Sequence, residues 1–240
     1  MKSILLLLVK WSCILGFLGL GSCATRGPLL PVRNETEARR ELSDRIAVRP
    51  EPAILFVGNS YSFGVPKAFS KAAALRGKKV RTGHATYGGW TLARHAENEA
   101  TLNKIRNGRW DIVVIQEQSR IPAMPPRKRA AEMFPPLRLL VAEARKQGAV
   151  PVLYQTWGRR DGDPDLRKDD FLAMTRRLRE GYQAAAKDAG GLVIIPVGDA
   201  WEREWSAGKG SALFMEDGSH PTQAGNDLTG RTFADVFFGP

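Results

Sequence analysis

Cysteine and histidine are scarce in this chain, with two and three respectively in 240 residues. That scarcity excludes a disulfide framework and a Cys-rich zinc site. Lys and Arg number 36 against 25 Asp and Glu, a net charge of +11. The basic residues are scattered, however, and no Lys/Arg tract interleaved with aromatics is present, so the excess does not make a nucleic-acid surface. No glycine-rich phosphate loop follows the first apolar run of the body, which argues against a nucleotide binder. The tetrapeptide frame G-x-S-x-G is also missing, and with it the usual nucleophile elbow. What is present suffices for a buried core: 43% of the residues are hydrophobic, near the globular average.

The first 22 residues read as an export signal. Lys2 opens the chain, and apolar runs over residues 4–9 and 11–20 contain no acidic residue. Lys10 interrupts them, and a spanning helix needs about 20 apolar residues. The run ends Leu20-Gly21-Ser22-Cys23, which resembles the lipobox of bacterial lipoproteins. That resemblance implies cleavage before Cys23 and lipidation (palmitate among the acyl groups) of its sulfur; the plainer alternative is a signal peptide with an incidental cysteine. Cleavage discards Cys13, consumes Cys23 and leaves 34 basic against 25 acidic residues, a net +9. Ala24 lacks the aspartate that favours inner-membrane retention in Gram-negative bacteria, so the expected address is the envelope, with the outer membrane or periplasmic face favoured. Residues 23–51, with Pro28, Pro31, Pro50 and many charges, read as a lipidated tether with a short polar helix over residues 35–45.

From residue 52 to the end, apolar runs alternate with helical pattern. Residues 53–57 are continuously apolar and end at Gly58, the mark of a strand buried on both faces. Further strands are expected over residues 79–86, 110–115, 150–155 and 192–195. Helices are expected over 66–76, 166–189 and 222–238, and two more between the third and fourth strands, divided at Pro135-Pro136. This alternation predicts a three-layer α/β/α sandwich with a five-stranded parallel sheet. Such sheets bind ligands beyond the carboxyl ends of their strands.

Two strand-end motifs carry chemistry. Gly58-Asn59-Ser60 follows the first strand, where a turn into a helix can present a serine oxygen beside free backbone N–H groups. Asp217-Gly218-Ser219-His220 lies near the carboxyl end, where an aspartate three residues before a histidine can hold its Nδ1–H and leave the other nitrogen as a base. Each has a bland reading, a helix cap and a turn cap respectively.

Taken together the motifs resemble those of the SGNH-type (GDSL-like) serine esterases. The Gln-Glu-Gln-Ser, Gly-Gly-x-Thr-Leu and Thr156-Trp157 stretches are similar to a bacterial lipoprotein branch of that superfamily. The resemblance spans residues 52–238 and implies a flavodoxin-like fold, a catalytic triad of Ser60, His220 and Asp217, and no metal or cofactor. It implies an oxyanion hole from the N–H groups of Ser60 and Gly89 and a side-chain amide. Asn59 stands where the family has aspartate. In place of the family's asparagine the chain has Gln116-Glu117-Gln118; alignment favours Gln118, with Gln116 the competitor.

Other residues divide between roles. His95 fits a structural histidine better than a pocket wall. Arg159 and Arg160 suit either an acidic substrate or solvated loop charge. Trp90, Trp157, Trp201 and Trp205 suit either core packing or sugar stacking. The expected activity is hydrolysis of a small acyl ester, acetyl foremost, on a small molecule or glycan; the alternative is a non-catalytic glycan-binding lipoprotein on the same fold. Neither oligomeric state nor acyl length is legible.

Overall fold

A computed structural model describes residues 33–240; the signal segment and Cys23 lie outside the described residues. In chain order the elements are α1 (Glu35–Ala47), β1 (Ala53–Gly58), a short 3-10 turn (Ser60–Ser62), α2 (Val65–Ala74), β2 (Arg81–Thr86), α3 (Leu92–Ala96), α4 (Glu99–Asn107) and β3 (Ile112–Ile115). After a 3-10 turn at Ile121–Ala123 come α5 (Pro126–Lys146), β4 (Val150–Tyr154), α6 (Phe171–Asp188), β5 (Val193–Ile195) and α7 (Val197–Ser206). A last 3-10 turn (Gly210–Leu213) leads to α8 (Gln223–Phe238).

The strands form one parallel sheet in the order β2-β1-β3-β4-β5. Successive side chains of a strand point to opposite faces, and the core divides accordingly. Ile54, Phe56, Ile112, Val114, Val152 and Tyr154 join one cluster with residues of α1, α2, α7 and α8. Leu55, Val57, Val113, Ile115 and Leu153 join the other with residues of α3, α4, α5 and α6. The result is the three-layer sandwich expected from the alternating pattern. Because β1 sits between β2 and β3, the chain leaves it toward one edge and returns on its other side. Ligands bind at such a switch point, and Ser60 follows β1 there.

Two readings are corrected. The helix expected to stop at Pro135-Pro136 is continuous as α5, 21 residues long. An interior proline costs about 3 kcal/mol through a lost hydrogen bond and a clash, but its fixed φ is helical. Burial of Met133, Leu137, Leu140, Val141 and Ala144 along one face offsets that cost. The stretch read as tether is docked from Arg33 onward: Arg33 N–H donates to Gly190 O at 2.9 Å, and Ala38 and Leu42 of α1 enter the core. Asn34 caps α1 in a reciprocal capping box with Glu37. The short helices α3 and α4, capped by Thr91 and Asn98, and α7 are additions to the expected pattern.

Candidate active site

The turn after β1 is shaped by what it packs against. A Cβ at Gly58 would collide with Gln116 Oε1, so glycine is required there by space. Asn59, buried, uses every polar group: its N–H donates to Gln116 Oε1 (2.9 Å), its Oδ1 accepts from Tyr61 N–H (3.1 Å), and its Nδ2 donates to Trp90 O (3.2 Å). An aspartate here would lose the last bond, since a carboxylate cannot donate. Asn59 thus ties the serine turn to the Gly88-Gly89-Trp90 loop. The Ser60 N–H makes no hydrogen bond among the described residues.

The Asp217–His220 loop is set by Gly218, in the left-handed region at φ +63°. Asp217 Oδ1 accepts from the backbone N–H groups of Ser219 and His220, each at 2.9 Å, and Oδ2 faces His220 Nδ1 at 2.5 Å. Because a carboxylate only accepts, Nδ1 carries the hydrogen, and Nε2 is the acceptor for the Ser60 hydroxyl at 2.9 Å. Residues 160 positions apart are therefore in one hydrogen-bonded line. Burial raises the Asp217 pKa, but the His220 ring and the two backbone donors outweigh it and hold the carboxyl at about 2. The His220 and Asp217 side chains are 40% and 48% exposed, so the site is open to solvent and to bulky partners.

The neighbours of these residues lock the two loops together. Tyr61 OH and Ser219 Oγ are 2.6 Å apart, and Trp157 Nε1 donates to Ser219 O at 3.1 Å. The Tyr61 ring stacks on Trp157 at 4.7 Å, and Trp157 on Trp201 at 3.8 Å. Trp157 and Trp201 are fully buried, and Trp205 packs on Phe171. Of the four tryptophans weighed above, Trp90 alone lies at the rim, stacked on Tyr87 at 4.1 Å with the Arg94 guanidinium 5.0 Å from its ring centroid.

Gly89 has φ +70° and nothing within 4 Å of an added Cβ, so it is glycine for its backbone conformation, closing a turn in which Trp90 N–H donates to Tyr87 O. Its own N–H makes no hydrogen bond among the described residues. The two glutamines separate clearly. Gln116 is buried, accepts from Asn59 N–H and from the Ser62 hydroxyl, and donates to Glu117 O. Its carbonyl oxygen holds the turn and its Nε2 donates to Glu117 O, so it is engaged within the fold. Gln118 is partly exposed; its Oε1 accepts from Arg120 N–H at 2.8 Å and its Nε2 has no partner among the described residues.

His95 is buried, donating from Nε2 to Gly58 O (2.9 Å) and accepting at Nδ1 from Thr101 (3.1 Å). Burial lowers its pKa against the raising effect of the Gly58 carbonyl, so it is a neutral brace under the serine turn. Arg160 is engaged with Asp161 and Glu216 O, whereas the Arg159 Nε is buried without a partner among the described residues. Sequence reasoning missed Tyr61, Ser219 and Glu117. Only the first two had a signal, as immediate neighbours of Ser60 and His220.

No family model matches the sequence, and no curated protein matches it. Solved structures do share its architecture. A DUF4886 family protein from Bacteroides uniformis is 19% identical with a TM-score of 0.69, covering 79% of this chain and 84% of that one. A lipase/acylhydrolase from Enterococcus faecalis is 18% identical with a TM-score of 0.55, covering 76% and 93%. An acetylxylan esterase from Geobacillus stearothermophilus is 16% identical with a TM-score of 0.58, covering 80% and 97%. The serine turn at the sheet's switch point and these likenesses agree on one architecture: the chain has the fold of the SGNH-type (GDSL-like) hydrolases.

Proposed function

We propose that the protein is a serine esterase that removes a small acyl group, acetyl foremost, from a carbohydrate ester. The observation that carries this reading is the unbroken line from Ser60 Oγ through the His220 ring to Asp217. Ser60 attacks the ester carbonyl as its proton passes to His220 Nε2. Asp217 keeps the imidazole in the required tautomer and stabilises its protonated form. The oxyanion is held by the N–H groups of Ser60 and Gly89 and by the Gln118 amide, each such donor being worth about 2.7–4 kcal/mol of barrier. His220 then returns the proton to the departing alcohol, and water, activated by the same histidine, releases the acyl group. None of these steps draws on a metal or cofactor.

The open triad and the Tyr87–Trp90 pair at its rim support a sugar-bearing substrate, since an aromatic face stacks on the apolar face of a pyranose. The acetylxylan esterase of like fold supports the same class. Lipidation of Cys23 would keep the enzyme at the envelope surface.

Substituting Ser60→Ala should lower hydrolysis of an activated acetyl ester by at least about three orders of magnitude. Covalent labelling of the wild-type serine by a fluorophosphonate, lost in the variant, is the companion measurement. Glycan binding without labelling or turnover would replace the enzyme with a binding module.

A further inference from the structure

Glu117 follows β3 between the two glutamines and is completely buried. Its Oε1 accepts two backbone N–H groups, from Leu92 at 3.0 Å and from Gln118 at 2.6 Å. Leu92 begins α3, three residues after Gly89, so a single carboxyl oxygen ties the loop bearing one candidate oxyanion donor to the backbone bearing another. The second oxygen, Oε2, is buried and has no hydrogen-bond partner among the described residues; the same holds for the nearby Thr156 Oγ1 and Tyr182 OH. Among the described residues no cation compensates the carboxyl. The titratable groups facing it are Glu132 of α5 and Tyr182 of α6.

We propose that Glu117 is a positioning residue that fixes the spacing of the Gly89 and Gln118 donors, and that its charge state tunes the strength of the oxyanion hole. The proposal rests on the esterase reading of Ser60. A neutral Glu117 leaves the surrounding dipoles free to stabilise negative charge on the substrate oxygen. An ionised Glu117 draws the Gln118 and Leu92 N–H groups toward itself and repels the oxyanion, in a dry region where screening is weak. Burial raises the carboxyl, the two N–H groups lower it and Glu132 raises it again, leaving it at about 7. Ionisation therefore falls within the working range of a hydrolase. Activity should drop above neutrality, where Glu117 loses its proton.

The test is kcat/KM of the purified full chain for p-nitrophenyl acetate between pH 5 and 10, on the wild type and Glu117→Gln. The amide keeps a carbonyl oxygen for the two N–H groups and carries no charge. In the wild type an alkaline fall on the order of tenfold, borne by kcat rather than KM, is expected. In Glu117→Gln the alkaline fall should vanish. Superimposable profiles would overturn the proposal. So would a wild-type profile level from pH 7 to 9, a result that does not need the variant to fold. Fluorophosphonate labelling of Ser60 separates the two levels: labelled enzyme with an unaltered profile removes only the role of Glu117, whereas absence of labelling removes the esterase reading beneath it.

Discussion

Asp217 and Glu117 are both carboxylates at the ends of sheet connections, and their surroundings drive them in opposite directions. Asp217 is partly exposed and receives three donors, so it stays charged as the orienting member of a triad must. Glu117 is fully buried with one oxygen unpartnered among the described residues, so its charge is costly. The stability consequence follows from linkage. In the unfolded chain Glu117 ionises near 4.5 and in the native state near 7, so between these values the native state binds the extra proton. Its contribution is fully present below pH 4.5 and is lost as pH rises through about 7. At 1.36 kcal/mol per unit the loss is at most about 3 kcal/mol. Urea melts at pH 5 and pH 8 should show wild-type stability falling with pH, and Glu117→Gln should flatten that dependence.

At the scale of elements, the distance between Ser60 and His220 is set by two helices. The serine turn runs directly into α2, and α8 starts two residues beyond His220 at its Thr222 cap. These helices pack closely because Gly230 of α8 lies against the backbone of Ala68 and Phe69, where a Cβ would approach to 2.6 Å of Ala68 O. Gly64, capping α2, meets Asn226 of α8 just as closely. Gly230→Ala must therefore push the helices apart, and overpacking of this kind costs about 1–3 kcal/mol. The expected outcome is a lower thermal midpoint together with reduced kcat, because the shift reaches the Ser60–His220 hydrogen bond. A variant with a lowered midpoint and unchanged kcat would show that the loops, through Tyr61 and Ser219, hold the dyad by themselves. The helix through Pro135 and Pro136 makes a related point. Proline marks a break in a sequence read alone, yet a buried face on both sides of the pair keeps α5 intact.

For the whole molecule, the packing of α1 onto the domain shortens the segment that separates the body from Cys23. Arg33 is pinned at Gly190 O, so nine residues of chain rather than nearly thirty separate Cys23 from the folded body. With a lipid on Cys23 the protein would be held close to the bilayer, and its scattered positive charge would face an anionic surface. Cys23→Ala should move the protein from the membrane fraction to the soluble fraction without changing its turnover of a soluble ester. Persistence in the membrane fraction would count against the lipid anchor.

The five strands, their parallel sheet, and the motifs that hold Ser60, Asp217 and His220 were legible in the residues alone; α3, α4 and α7 were not. Buried strands announce themselves as unbroken apolar runs, and short-range motifs such as Asp217-Gly218-Ser219-His220 bring their own local geometry. The choice between the two glutamines was not legible. Gln116 and Gln118 have the same chemistry and lie two residues apart, and only the packing of Gly58 and Asn59 against Gln116 shows which one holds the serine turn. The fate of Glu117 was equally hidden, because a carboxyl's charge depends on partners that approach from Leu92, Glu132 and Tyr182, far away along the chain. Periodicity records which side of an element is buried; which polar atoms meet there is decided by the folded contacts.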